Sequence, residues 1–231
     1  MKNLALRRTS NTSIAGSARA ACGALLALTI CAGTAAADPP PGFVRLADVA
    51  PTIVQDIRYA GPNNFTGAPV PGYAKPACWL KAEAAHALAD AERDAERSHL
   101  RLVVWDCYRP QRAVNAFVAW TATSGESTKA EHYPNVAKRA LLGDYIARFS
   151  AHSTGLAVDI AVVGWTFGTP FDFFDRKSAT RAIPDGEIAE HRATLVALMK
   201  RNGFNNYPRE WWHFSIESAT NAPKLDAEIN N

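Results

Sequence analysis

Hydrophobic and polar positions in this chain follow two periods, and the period changes from segment to segment. Residues 52–59 alternate apolar and polar side chains and predict a short strand. Over residues 79–97, Leu80, Ala84, Leu88, Ala91 and Ala95 recur at three- and four-residue steps with charges opposite, which predicts a helix. Residues 100–106 read as a buried strand through Leu102, Val103, Val104 and Trp105. A second helix is predicted over 110–122, with Pro110 in its first turn. A polar excursion at 124–148, partly helical near 136–142, leads to a strand at 156–163 and a long aromatic loop at 164–184. A third helix over 188–202 stops at Gly203, and a last strand spans 211–216. Residues 38–42 are proline-rich, and residues 61–72, rich in Gly, Pro and Asn, predict a loop. Strands and helices mix without strict βαβ alternation. The expected class is α+β, a single domain with a central, mainly antiparallel sheet flanked by helices.

Composition narrows the classes. The chain has 231 residues, 48% hydrophobic and 20% charged, enough to bury a globular core. Disorder, collagen and low-complexity architectures are excluded. The formal charge of +3 misleads, because residues 1–37 hold Lys2, Arg7, Arg8 and Arg19 and no acid. The remainder has 21 basic side chains (25 less these four) against 22 acidic ones, or −1. Such a body has no electrostatic footprint for nucleic acid or an anionic membrane.

The first 37 residues have the parts of a secretory signal peptide: a basic head, a short apolar middle at 20–33 and the end Ala35-Ala36-Ala37. Cleavage after Ala37 is expected, leaving a domain at 38–231 that is exported to the periplasm and is free of the membrane. A retained anchor, or a lipid anchor on Cys31, is the rival reading. Of the four cysteines, Cys78 and Cys107 survive cleavage. In an oxidising compartment they can pair, and two buried free thiols are the alternative.

Three polar groups carry candidate chemistry: Ser150-Ala-His152-Ser-Thr-Gly155-Leu-Ala157-Val-Asp159, Glu210-Trp-Trp-His213 and Asp106-Cys-Tyr108-Arg109-Pro110. On a straight helix His152 and Asp159 would lie ~10 Å apart, and on a straight strand ~23 Å apart, too far to bind one ion at ~2 Å. Ser153-Thr154-Gly155 can supply the turn that folds one back onto the other. Asp159 then stands in an apolar strand, where a carboxylate needs a partner, and a metal is one. With His213 they make two imidazoles and one carboxylate, a three-ligand zinc set with a fourth position open. Glu210 is the spare carboxylate, able to move a proton. Arg109 leaves a strand-to-helix junction, where a guanidinium can hold an anionic group or an oxyanion, or merely pair with an aspartate. Each single group has a bland reading: a hydrogen-bonded core histidine, or an arginine-paired Asp159.

Together these motifs resemble the zinc D-alanyl-D-alanine dipeptidases of the VanX type, subfamily D of the M15 peptidases. Further stretches agree: Asn64-Phe65-Thr66-Gly67 with Gly72-Tyr73, Arg112-Ala113-Val114-Asn115, Tyr133-Pro134-Asn135 and Phe171-Asp172-Phe173-Phe174-Asp175. The likeness runs in order from about residue 52 to 214. It implies one Zn2+ per chain, held by His152, Asp159 and His213, with Glu210 as general base and acid and Arg109 stabilising the transition state. It further implies Ser150, Tyr59 and Tyr73 as pocket residues holding the two ends of a dipeptide, and Asp172 as a site for its ammonium. The implied activity is hydrolysis of D-Ala-D-Ala, here outside the cytoplasm, with segments 61–75 and 164–185 closing the pocket over a small substrate. This chain departs from the pattern in its leader, in Cys107 where members often carry glycine, and in a short polar tail after Glu217. Two rival readings keep the motifs: a D,D-carboxypeptidase or endolysin acting on cell-wall peptide stems, and a non-catalytic secreted module whose zinc takes Cys78 or Cys107 as fourth ligand. The sequence carries no signature of oligomeric state.

Overall fold

The computed structural model describes residues 38–231, and the leader expected at 1–37 lies outside them. The chain opens with β1 (Phe43–Arg45) and the single turn α1 (Leu46–Val49), then β2 (Val54–Gln55). Next come β3 (Trp79–Lys81), α2 (Ala82–Glu96), β4 (Leu102–Asp106) and α3 (Gln111–Thr121). Two short turns follow, α4 (Lys129–His132) and α5 (Leu141–Asp144), the latter interrupted at Leu142 and Gly143. The last elements are β5 (Ala157–Val162), α6 (Gly186–Arg201), β6 (Phe204–Asn206) and β7 (His213–Ile216).

The α+β expectation holds. Five strands form one sheet in the order β2-β4-β5-β7-β6, antiparallel except for the β2–β4 edge, and β1 pairs with β3 in a separate ribbon. The central strand β5 is buried along its whole length, as its apolar run requires. α2 offers Ala84, Ala85, Leu88, Ala91 and Ala95 to the core and lies against α6, which contributes Leu195, Leu198 and Met199. Small residues on α2 permit that close approach.

Three expectations are corrected. The strand at 52–59 shrinks to two paired residues, because Ile57 leads into a 3₁₀ turn at Arg58–Ala60 that buries Tyr59. The helix expected from residue 79 begins at Ala82, since Trp79–Lys81 is extended and paired with Phe43–Arg45. The last strand begins at His213, because Glu210 to Trp212 belong to the turn after β6. Cys78 and Cys107 form a disulfide with Cα atoms 5.3 Å apart. That answers the thiol question and removes both sulfurs as thiolate ligands for a structural zinc.

The tail wraps the molecule. Leu225 N–H donates to Ser153 O, Gln111 N–H to Leu225 O, and Ile229 N–H to Gly72 O, with the Ile229 side chain fully buried. The polar composition of residues 218–231 gives no hint of this strap.

Candidate active site

The sheet register brings the first residues together. Asp159 pairs with His213 on β7 and with Asp106 on β4, so three neighbouring strands place these side chains side by side. A register shift between Val104 and Asp106 marks a bulge, a feature that re-aims a side chain. His152 arrives from the turn that the spacing demanded, a 3₁₀ turn at Ala151–Thr154 closed by Gly155 at φ 76°. Ser150 caps that turn, its Oγ accepting from His152 N–H at 3.2 Å.

Three donor atoms converge. His152 Nε2 lies 3.2 Å from Asp159 Oδ1 and 3.0 Å from His213 Nδ1, and His213 Nδ1 lies 3.1 Å from Asp159 Oδ1. Around an ion with bonds of about 2.0–2.1 Å, tetrahedral ligand atoms stand about 3.3 Å apart, so the triangle fits a zinc-sized cation. Proton bookkeeping points the same way. His152 Nδ1 lies 2.7 Å from Cys107 O. A carbonyl only accepts, so Nδ1 carries a ring proton, which leaves Nε2 as the atom that can offer a lone pair where it faces a carboxylate and a second imidazole. A cation satisfies all three donors at once.

Around this triangle lie three further carboxylates, Asp106, Asp172 and Glu210, and one guanidinium. Arg109 Nε donates to Asp106 Oδ2 at 2.8 Å and its Nη2 to Asp159 Oδ2 at 3.4 Å, with the guanidinium 5.1 Å from the Tyr59 ring and 5.3 Å from the Phe117 ring. Asp106, fully buried, also accepts from Tyr73 O–H at 2.6 Å. Burial pushes the Asp106 carboxyl up despite Arg109 and His152. It pushes Asp172 well above the carboxylate range, helped by the Asp159 charge. Burial also lifts Glu210 to about 7, against the pull of His213. Burial acts on Asp159 too, but His152 and His213 outweigh it and hold that carboxyl far below its usual value. For His213 burial works against the charged ring, and Asp159 prevails and raises it. Apart from Asp159, these shifted groups hold protons more tightly than free side chains do.

These groups face a cavity of about 270 Å³, lined in part by Arg109, Ser150, His152, Asp159, Asp172, Glu210 and His213. It lies at the small end of ligand pockets.

Residues 40–230 match the family model described as D-ala-D-ala dipeptidase. The chain belongs to this family of M15 peptidases. It is 36% identical over 185 residues to the D-alanyl-D-alanine dipeptidase of Enterococcus faecium, covering 76% of this chain and 91% of that protein. Against the D-alanyl-D-alanine dipeptidase of Streptomyces coelicolor the identity is 37% over 186 residues, with the same two coverages of 76% and 91%. The Escherichia coli protein of that name is 30% identical over 189 residues, covering 79% of this chain and 89% of that one. The protein is therefore an enzyme, a peptidase.

Within this family member, most of the residues singled out from sequence meet at one cavity, and one does not. Tyr59 lines it, but its hydroxyl donates to both Asp172 oxygens, at 3.1 and 2.9 Å. Asp172, held at a positive φ of 57°, lines it as well. Tyr73, expected at the pocket wall, stands behind it, its hydroxyl committed to Asp106. The walls also differ from expectation. Segment 61–75 contributes Phe65, and segment 164–185 contributes Asp172 and Phe174, while Tyr145, Ile146, Ala147 and Phe149 form a lip that sequence reasoning missed. Phe149 is 69% exposed at that lip. Arg209, next to Glu210, donates to Asp144 O at 3.0 Å and joins the lip to the turn before β7. Asp106 was also missed as a group in its own right. Its signal was its place in Asp-Cys-Tyr-Arg-Pro, three residues before Arg109.

Proposed function

We propose that this protein hydrolyses D-Ala-D-Ala outside the cytoplasm as a zinc-dependent D,D-dipeptidase, with residues 1–37 a cleaved leader and 38–231 the mature enzyme. The observation that carries the reading is the triangle of His152 Nε2, Asp159 Oδ1 and His213 Nδ1, with sides of 3.0–3.2 Å, opening on a small cavity that also holds Glu210. Family membership and the names of the relatives support the substrate.

His152, Asp159 and His213 would hold one Zn2+. Bound there, it supplies a Lewis acid for the scissile carbonyl and the attacking water. The chain's own residues do the rest. The Glu210 carboxylate makes no hydrogen bond to another described residue, so it is free to take the proton of the attacking water. It then delivers that proton to the leaving amine, and two D-alanine molecules result. A carboxyl raised to about 7 suits both halves of that task near neutral pH. Arg109 stays charged through Asp106 and Asp159 and presents its guanidinium to the cavity, where it shares the charge of the carbonyl oxygen. Asp172, oriented by Tyr59, faces the substrate ammonium, whose charge would offset the burial that raises this carboxyl and let it ionise. Ser150 Oγ already accepts from His152 N–H, so its own proton remains to donate to the substrate carboxylate.

Charge supports the assignment. Asp159, Asp172 and Glu210 line the cavity with one guanidinium, and burial raises the last two carboxyls, so a dication and an ammonium are the charges that would let them ionise together. The lip at residues 145–151 supports a short substrate over a cell-wall peptide stem.

The test is a substrate panel with zinc-loaded mature protein: D-Ala-D-Ala, its L,L isomer and N-acetyl-D-Ala-D-Ala. Turnover of the free D,D-dipeptide at least a hundredfold faster than of the acylated one is expected. Equal or faster cleavage of the acylated compound refutes the dipeptidase reading in favour of a carboxypeptidase. Glu210→Gln should retain one zinc per chain and lose about 10²–10⁴ in kcat. Activity near that of the parent would remove Glu210 from its role.

A further inference from the structure

We propose that the Cys78–Cys107 disulfide is a positioning element of the metal site, because it fixes the residue whose carbonyl orients His152. The inference rests on His152, Asp159 and His213 being the metal ligands.

Segment 106–109 grips His152 from two sides. Cys107 O accepts a hydrogen bond from His152 Nδ1 at 2.7 Å, and Arg109 N–H donates to His152 O at 3.2 Å. The tautomer of His152, and the direction of its Nε2 lone pair, therefore follow the orientation of one peptide group. Outer partners of this kind set the basicity and aim of a ligating imidazole. That peptide group has no regular strand to hold it, since β4 ends at Asp106 after a bulge and α3 begins at Gln111.

What holds it is β3. Tyr108 N–H donates to Trp79 O at 2.9 Å, the Trp79 and Tyr108 rings stack at 6.4 Å, and the disulfide joins the residues just before them, Cys78 and Cys107. Cys78 is itself anchored, its N–H to Gln55 Oε1 at 3.1 Å and its carbonyl accepting from Leu46 N–H at 2.9 Å. Both cysteines are buried, 1% and 2% exposed, so the bridge is a fixed strut and not a surface clip. It ties the orienting carbonyl to the ribbon of β1 and β3, outside the sheet that carries Asp159 and His213. With the bridge gone, the Cys107–Tyr108 peptide group is held by hydrogen bonds alone, Tyr108 N–H to Trp79 O on one side and Cys107 O to His152 Nδ1 on the other, with Arg109 N–H on His152 O beside it, so the carbonyl swings from Nδ1 whenever the Trp79 bond opens.

The experiment uses the metal-free mature protein and Co2+ as probe, comparing the parent with the Cys78→Ala/Cys107→Ala variant. Binding is titrated at 20 °C through the visible Co2+ bands and checked by competition with a chromophoric chelator. Loss of an outer partner of a metal ligand costs about 10–100-fold in affinity, and because the carbonyl itself remains, a rise in Kd of roughly tenfold is expected. A merely structural role would lower the unfolding temperature and leave Kd alone. Asn202→Ala, which loses its bond to Asp94 at the far end of α6, serves as a destabilised control and should bind Co2+ like the parent. If the double variant does not fold, the parent is loaded with Co2+, its disulfide is reduced with a phosphine, and the protein is desalted. The phosphine becomes the phosphine oxide, water supplying its oxygen and the two thiol protons. Release of Co2+ to chelator should then be about tenfold faster than from the unreduced protein. A Kd within twofold of the parent, or an unchanged release rate after reduction, overturns the proposal. A parent that binds no stoichiometric Co2+ would instead overturn the ligand assignment beneath it.

Discussion

Glu210 gives the site a pH signature that can be read without substrate. Its carboxyl moves from the ordinary 4.5 to about 7, chiefly because burial disfavours the charged form. A group whose folded value is raised contributes stability that is fully present below the unfolded value and lost as pH rises through the folded one. The window for Glu210 is therefore about pH 4.5 to 7. The interval between those values corresponds to about 3 kcal/mol, and to about 2 kcal/mol once the partial exposure of this side chain is allowed for. Burial raises Asp172 and Asp106 in the same direction, and His213, raised because Asp159 outweighs burial, adds to it. Asp159 is held low, so its contribution is lost only in strong acid and is silent here. The metal-free protein should therefore lose stability between pH 5 and 8. Glu210 alone should account for about 2 kcal/mol, or about 4–8 °C in unfolding temperature for a domain of this size. A divalent cation takes the place of the protons, so its affinity rises with pH and the metal-loaded protein should show a flatter or reversed slope. The assay is thermal unfolding of chelator-treated mature protein at pH 5, 6, 7 and 8, repeated with Glu210→Gln. That variant should lose the Glu210 share of the slope. If it kept the slope of the parent, or if the metal-free parent were equally stable at pH 5 and pH 8, burial would not be what sets this carboxyl.

Two further outcomes follow from packing. Gly155→Ala should destabilise by at least about 3 kcal/mol, because the residue sits at φ +76° and a Cβ there runs into the Phe43 ring and comes within 3.2 Å of Lys81 N. Urea unfolding measures this, and a loss under about 1 kcal/mol would contradict the geometry. Removing residues 225–231 should lower the unfolding temperature by about 10 °C or more. It takes away the buried Ile229 side chain, worth about 2–3 kcal/mol, and backbone bonds to Ser153, Gln111, Gly72 and Lys75, each worth about 1 kcal/mol. A truncated protein that melts within 2 °C of the parent would show that the strap is incidental.

The meeting of His152, Asp159 and His213 was legible in the sequence because its constraint is local and chemical. Asp159 comes seven positions after His152, no regular element can bring them to one ion, and Ser153-Thr154-Gly155 is the kind of segment that turns. β5 was legible for a related reason, since an unbroken apolar run with one carboxylate in it fits a central strand with something polar at its end. What escaped is what depends on partners remote in sequence. Trp79–Lys81 leads into a helix-period pattern, yet it is extended because Phe43–Arg45 lies beside it, and three residues carry no period of their own. The Tyr73 hydroxyl looked available for substrate, yet it donates to Asp106, a residue 33 positions on at the irregular end of β4.

The tail shows the same limit in stronger form. Its value lies in backbone groups, which every residue carries, so composition cannot announce it. Residues 225–229 bond to the His152 turn through Ser153, to the start of α3 through Gln111, to Tyr108 and to Gly72, which are the segments that flank His152, Arg109 and Tyr73. The three proposed ligands come from β5, β7 and a single turn, and only the first two are fixed by sheet register. His152 is therefore the ligand whose position depends on loops. The disulfide at Cys107 and the strap at Ser153 both act on it, one through its ring and one through its turn. Damage to either should reach metal affinity through His152 before it disturbs the register of Asp159 and His213.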